Sequence, residues 1–307
     1  MIRWALVRAP LLLAGVSVAV FAATEALPGD AALARTAGRA TAAQLAALRA
    51  DGGLDDPVWL RYLRWVWGLL RGDAGVSLLS DRPVSDLIGQ RLPAAVILAA
   101  AALAVTVPVM LSLAWVAGTG SVAGRYATAL VTATAAVPQV VVAAGLTALF
   151  AGVLGWLPPV SLVPAGGAPP PATLILPAVS LALPAAAYGA MLLRGVVADT
   201  LALPCVRDAE RRGLSRLTVA LRYALPPLLA PTVRILALVS AGLFAATAVV
   251  ETMFGYAGLG ELLAGAVANR DTPVVQAVAM LAAAVAVGGL LVADVLAAAT
   301  DPYRARS

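Results

Sequence analysis

The sequence predicts an all-α polytopic membrane protein with six crossing helices, and three observations carry that expectation. The 307 residues are 62% hydrophobic and 12% charged, about half the charged share of a soluble domain. The stretches from Arg91 to Arg125 and from Arg125 to Arg194 carry no charge, and each exceeds the roughly 20 apolar residues that one crossing needs. Arginine is the only basic residue type, with 21 Arg and no Lys, and it gathers between the apolar stretches.

The first span is expected at 9 to 24, led by Arg3 and Arg8. Its basic start, apolar middle and small residues at Ala22 and Ala23 also fit a secretory signal. Retention as an anchor is the expectation, and cleavage stays open. Residues 27–93 form a long polar connection with eight Arg and seven Asp. Within it, Thr41 is placed to cap a short helix through Leu45 and Leu48. Asp55, Asp56 and Pro57 mark a turn or helix start. Trp59, Tyr62, Trp65 and Trp67 on a basic segment predict an amphipathic helix over 59–70 in the membrane interface. Gly72 and Gly75 end it.

The second span is expected at 94–117, with Pro93 near its start and Pro108 inside. Two more fit at 128–152 and 174–195, around a Gly/Pro-rich loop at 155–172. The last two fall at 229–250 and 274–297. With the amino terminus inside, segments 1–8, 118–127, 194–228 and 298–307 hold eleven arginines, while the short outer loops 153–173 and 251–273 hold only Arg270. Short-loop arginine bias therefore puts both termini in the cytoplasm. Pro108, Pro138, Pro177 and Pro184 lie in or at the ends of spans. Broken helices mark transport sites, although most such prolines only kink a helix.

Several chemistries are excluded. Without Lys there is no Walker A loop. Without His there is no Ser-His-Asp triad, His-ligated metal or His proton relay. Cys205 stands alone, so no intrachain disulfide or Cys metal cluster forms. No catalytic, cofactor or metal residues are expected, and ATP hydrolysis would have to come from a partner. The arginines sit at span ends, so nucleic acid is not an expected partner. A self-contained secondary transporter is the rival class, and it needs an inverted repeat and ion-coupling groups that are not visible. A membrane hydrolase would have to use Glu251, Asp294 or Asp301, which lack a motif.

One polar island stands out: Arg207, Asp208, Ala209, Glu210, Arg211, Arg212, Gly213 and Leu214, followed by Leu225 and Pro226. Helix-forming residues, a Gly stop and a Pro boundary suggest a folded loop that contacts something in the cytoplasm, and a solvated charge run that only fixes topology fits the same residues equally well. Glu251 and Asp294 are the acidic residues nearest the membrane interior. An intramembrane carboxylate is a functional candidate by default. Asp294 reads as structural, and both readings stay open for Glu251. The glycines around it, including Gly258 and Gly260, are equally explained as turn formers.

The island resembles the EAA loop of ABC importer permeases, E-A-A-x3-G-x9-I-x-L-P. Ala209, Gly213, Leu225 and Pro226 fall in register, whereas Arg207, Asp208 and Tyr223 depart from it. The peptide branch reads R-T-A-x-x-K-G-L, closer to this chain. Other blocks follow in order: Leu54, Asp55 and Pro57 resemble L-D-x-P, and Gly72, Asp73, Gly75 and Ser77 resemble G-D-L-G-x-S. Arg91, Leu92, Pro93 and Ala94 match R-L-P-A. Glu251, Phe254, Gly258, Leu259 and Gly260 resemble E-x-I-F…P-G-L-G, with Ala257 in place of the Pro. Arg270, Asp271, Pro273, Val274, Val275 and Gln276 match R-D-Y-P-V-V-Q, and Asp301 with Pro302 match a closing D-P.

The chain thus resembles the inner-membrane permease subunits of bacterial dipeptide, oligopeptide and nickel-type ABC importers. The resemblance implies a type I importer permease fold in the bacterial cytoplasmic membrane. It implies a cytoplasmic start and first helix over 1–26, a periplasmic loop over 27–93, a five-helix core over 94–300 and a cytoplasmic tail over 301–307. Within the core, 198–228 is the coupling loop, with one short helix around 205–218 docking on an ATPase and Asp208 and Glu210 in its first turn. Glu251, Phe254, Gly258 and Gly260 become a gate or a contact for the binding protein. The implied partners are a second homologous permease, two ATPase subunits or one fused ATPase holding ATP and Mg, an extracytoplasmic solute-binding protein, and membrane lipid. Di- and oligopeptides are the expected solutes, with nickel, glutathione and haem as the family's alternatives.

Overall fold

The structure is a computed structural model that describes residues 2–26, 41, 43, 56–162 and 169–300. The expected short helix through Leu45 and Leu48 lies outside the described residues, as do Leu54, Asp55, Asp301 and Pro302. Helices dominate, and among the described residues the one β-type contact is an isolated bridge between Val76 and Pro83.

Helix α1 spans Ile2–Glu25 and α2 spans Val58–Leu70. α2 is amphipathic, as its aromatic pattern predicts. Tyr62 meets Phe21 of α1 edge-on and Trp65 meets it at a tilt, at ring-centroid distances of 5.4 and 5.6 Å, and Arg61 pairs with Glu25. Trp59, Leu63, Trp67 and Leu70 are left exposed, the arrangement of a helix lying in the membrane interface.

α3 runs Val84–Gly118, ten residues further back than its apolar run, and carries Pro93 and Pro108 within it. Its 35 residues make about 52 Å of helix, well beyond a hydrocarbon core of about 30 Å. α4 is Val122–Ala136, capped by the Ser121 hydroxyl, which accepts from the Gly124 amide at 3.0 Å. α5 is Gln139–Thr147 and continues as a π-helical turn over Ala148–Val153.

The expected single span at 128–152 is therefore two half-helices, which meet at 100°. The cause is local. Pro138 has no amide to donate, and it forces Val137 into extended backbone, φ −78° and ψ 127°.

α6 is Pro171–Leu201 and forms the centre of the bundle. It packs on α3 and α4, and on α9, which is Leu225–Phe254. Small residues let it be surrounded: Ala178, Ala182, Ala186, Ala187, Gly189 and Ala190 are all buried. At Gly189 a Cβ would run into Met110 of α3 and would stand 3.0 Å from Val239 of α9. α6 and α9 run antiparallel. Their far ends are tied by Ser161, whose amide donates to the Phe254 carbonyl at 2.7 Å and whose hydroxyl donates to the Thr173 carbonyl at 2.5 Å.

Between α6 and α9 lie α7, Pro204–Arg211, and α8, Arg216–Val219. After α9 come α10, Leu259–Ala268, and α11, Thr272–Thr300. α10 fills part of what reads in sequence as a glycine-rich loop. α11 packs on α9 and on α1, where Gln276 donates to the Thr24 hydroxyl at 2.8 Å in a buried contact. Among the described residues, five helices are long and apolar enough to cross a membrane, or six when the bent pair α4 and α5 is taken as one span.

The buried Thr24–Gln276 pair ties α1 to the bundle. Removing one partner leaves the other unsatisfied, at about 1–3 kcal/mol. Thr24→Val is expected to lower the apparent melting temperature in detergent, and Gln276→Leu in the same chain to recover most of the loss. No loss in the single variant would show that α1 is not held by this contact.

Candidate functional site

The polar island folds as two short helices around one left-handed glycine, not as the single helix expected over 205–218. α7 starts at Pro204, a residue suited to a first helical position. That early start puts Asp208 and Glu210 beyond the first turn, which contains no acidic residue. Arg211 in the last turn does complement the helix dipole. Gly213 has φ +74°, and its amide donates to the Glu210 carbonyl at 2.9 Å. The Leu214 amide then reaches the Ala209 carbonyl at 3.3 Å. Nothing lies within 4 Å of a Cβ placed at Gly213, so backbone conformation and not space demands glycine there.

α7 is seated by one face. Val206 and Ala209 are buried with Val219, against half-buried Leu201 and Tyr223. Arg207, Asp208, Glu210, Arg211 and Arg212 are exposed on the other side. The 3.8 Å contact between Arg211 and Asp208 is exposed and contributes little. After Gly213, the Ser215 hydroxyl caps α8 by accepting from the Thr218 amide at 3.2 Å.

The chain then passes through a π-helical turn at Ala220–Ala224 into α9 without stopping. That turn lies just ahead of Pro226 and Pro227, whose missing amides it accommodates. Leu225 and Pro226 open α9, as the Pro boundary suggests, and there mark an inflection in the 39-residue span from Arg216 to Phe254. Along it Leu217 and Leu221 are 68% and 56% exposed, flanked by Arg216 and Arg222.

The second cluster closes the opposite end. Glu251, in the last turn of α9, is fully buried, and its Oε2 accepts the Glu261 amide at 2.9 Å. It thereby places a carboxylate on the N-terminus of α10. Its Oε1 has no hydrogen-bond partner among the described residues. Gly258 and Gly260 exist for contact. A Cβ at Gly258 would run into the Glu251 carboxyl group, and one at Gly260 would stand 2.5 Å from the Ala248 backbone.

Tyr256 is buried and donates to the Ala94 carbonyl at 2.6 Å. Burial, then the neighbouring Glu251, push its phenol up to about 12, so it stays a donor at any physiological pH. Arg91 pairs with Glu261 at 2.7 Å. Asp271 accepts from the Ser77 hydroxyl and from the Leu78 amide at 3.0 Å.

The structure brings Glu251, Phe254, Gly258 and Gly260 together, and all four are buried. They knit α9 to α10 beneath the surface. Asp294 is half-buried on α11. Sequence reasoning met Asp271 and Ser77 only as parts of motif blocks, and passed over Tyr256, whose partner lies far away along the chain, and Arg234, an exposed charge inside α9. Arg234 was visible as one charge in an apolar run.

Two glycines test the two kinds of demand. Gly213→Ala strains one φ, at about 1–2 kcal/mol, whereas Gly260→Ala drives a methyl into backbone. In thermal-shift measurements on purified protein, Gly260→Ala is expected to lose clearly more stability than Gly213→Ala. Equal losses would contradict the packing account.

Comparison with known proteins agrees with this architecture. The family of binding-protein-dependent transport system inner membrane components matches residues 110–306. The glutathione transport system permease protein GsiC of Salmonella paratyphi A is 32% identical over 289 residues, covering 94% of this chain and 92% of its own. Two proteins provisionally named peptide transport permeases are similar too. One, from Brucella abortus, is 31% identical over 291 residues, 94% of this chain and 93% of its own. The other, from Sinorhizobium fredii, is 30% identical over 300 residues, 95% and 94%. This multi-pass membrane protein belongs to the family of binding-protein-dependent transport system inner membrane components.

Proposed function

We propose that this chain is one of two permease subunits in an ATP-driven importer of di- and oligopeptides. α7 docks on a cytoplasmic ATPase, and a solute-binding protein delivers the peptide to the α10 end. The α7 end faces the cytoplasm, as do both termini, and the pathway lies between this chain and a homologous permease. Relatives named for peptide and glutathione transport support peptides as the solute class. Glutathione is itself a short peptide, and a named relative favours it as the second reading.

The observation that carries the proposal is an exposed charged and apolar surface beyond the expected membrane. Phe254 is tied through Ser161 to the Gly/Pro-rich loop at 155–172. About 20 residues of helix cross the hydrocarbon core, and 20 residues before Phe254 stands the exposed Arg234. The helix continues for 18 residues more, from 233 back to Arg216, or about 27 Å. Leu217, Leu221 and the charged face of α7 would then lie in water, where lipid cannot cover the leucines. A soluble partner with an apolar cleft and acidic rim fits that surface.

The mechanism follows from the connection. ATP closes two ATPase subunits and moves each α7, and the continuous helix carries that motion to the α10 end. The pathway opens there to the loaded binding protein, and hydrolysis resets it. ATP and the binding protein must favour the same conformation for this cycle to turn. ATP and Mg belong to the partner subunits.

Gly213→Arg puts a long side chain on the left-handed turn of the dock, and Leu217→Glu with Leu221→Glu charges the leucine line. Both variants are expected to remove the ATPase from the affinity-purified complex and to abolish uptake of a labelled tripeptide, with the permease still in the membrane. Import and ATPase recovery at wild-type levels in both variants would overturn the docking assignment. Competition between glutathione and other tripeptides then decides between the two solutes.

A further inference from the structure

Two prolines inside α6 leave backbone carbonyls without their helical donors, and both carbonyls are taken by side chains from one neighbouring segment. Pro177 lacks the amide that would reach the Thr173 carbonyl, and Pro184 lacks the one for Ser180. The Ser161 hydroxyl donates to Thr173 at 2.5 Å, and Gln139 Nε2 donates to Ser180 at 2.6 Å. Neither residue's own hydroxyl serves this purpose. That of Thr173 donates to Pro170, and that of Ser180 is buried without a partner among the described residues.

The two donors bracket residues 139–161, which hold together as a unit. The Phe150 carbonyl accepts the amides of Trp156 and Leu157 at 2.9 and 3.3 Å, and the Phe150 and Trp156 rings lie 6.0 Å apart. At its other end the unit meets α4 at the 100° bend at Val137 and Pro138. Ala143, one helical turn from Gln139, is buried in the core cluster with α6 and α9 residues. The unit is thus hinged at one end and stapled to α6 at two points, 2.5 and 2.6 Å contacts that a side-chain rotation releases.

We infer that residues 139–161 are a gate at the α10 end of the pathway, latched shut by Gln139 and Ser161 on the proline-exposed carbonyls of α6. The inference rests on the permease reading for what passes the gate. Its physical basis is that an exposed carbonyl in an apolar slab needs a donor from protein or from water. With the unit closed and the site dry, Gln139 and Ser161 are the donors. With the α10 end open and wet, water replaces them. Both states are satisfied, which is what a two-state element requires. An α6 without these prolines would fill both carbonyls from within and would have no use for the staples.

Pro184→Ala makes the test sharp, because it returns an amide to the Ser180 carbonyl without restoring the latch. The reporter is Ala143→Cys in a Cys205→Ser background, read by its maleimide labelling rate. Gln139→Leu is expected to raise that rate about twofold to tenfold, the factor one hydrogen bond supplies. It also lowers the yield of folded protein. Gln139→Leu with Pro184→Ala is expected to recover the yield and keep the fast labelling. The assembled complex of the double variant then hydrolyses ATP without binding protein faster than wild type by a similar factor.

Labelling at the wild-type rate in the double variant overturns the latch, since the contact would then only satisfy a carbonyl. A yield that stays low overturns the role given to Pro184. Fast labelling with wild-type ATPase overturns the gate. If the wild-type chain recovers no ATPase at all, the docking proposal fails, and labelling alone decides the latch.

Discussion

A backbone carbonyl in hydrocarbon must have a donor, and the shape of this chain follows from how its prolines leave carbonyls without one. The answers differ from place to place. At Pro138 the helix breaks, and the two halves part by 100°. At Pro226 and Pro227 it widens into a π-helical turn and goes on. At Pro177 and Pro184 it stays intact and borrows Ser161 and Gln139. A bend, an inflection and two staples thus come from one missing atom type in three tertiary settings. α6 can be served from outside because its alanines and Gly189 bring neighbours close.

The same setting-dependence explains what could be read from sequence. The spans were legible as apolar runs with at most one charge, because a charge in hydrocarbon is too unfavourable to leave without a reason. α2 was legible from the spacing of Trp59, Tyr62 and Trp65, and the turn at Gly213 from a glycine closing a polar helix. The break at Pro138 was not. Pro108 sits in a similar apolar run and stays within α3, and nothing local distinguishes the two.

The α10 cluster shows the limit in another form. Glu251, Phe254, Gly258 and Gly260 were singled out as a group and do lie together, but Gly258 and Gly260 suggested a turn. Their reason is close approach, to the Glu251 carboxyl and to the Ala248 backbone, and a glycine kept for contact looks the same in sequence as one kept for φ. That ambiguity hid the 10-residue helix α10. α7 was misplaced for a related reason: Pro204 reads as a breaker but serves as the first helical residue.

These features converge on α8 and α9, one 39-residue helix that joins the α7 seat to the Glu251 cap. At about 58 Å it is nearly twice the hydrocarbon thickness. It packs closely on α6 near its middle, where a Cβ at Gly189 would stand 3.0 Å from Val239. A rod held tightly at its centre pivots there. A tilt of about 10° moves each end of a 58 Å rod by roughly 5 Å, one helical turn. Movement of Val219 at the α7 seat therefore returns as opposite movement of Phe254, whose carbonyl holds the Ser161 amide. Ser161 also holds Thr173 on α6. A pivot that carries Phe254 away from α6 cannot keep both contacts, so the far end of the rod pulls on the staple that fixes residues 139–161.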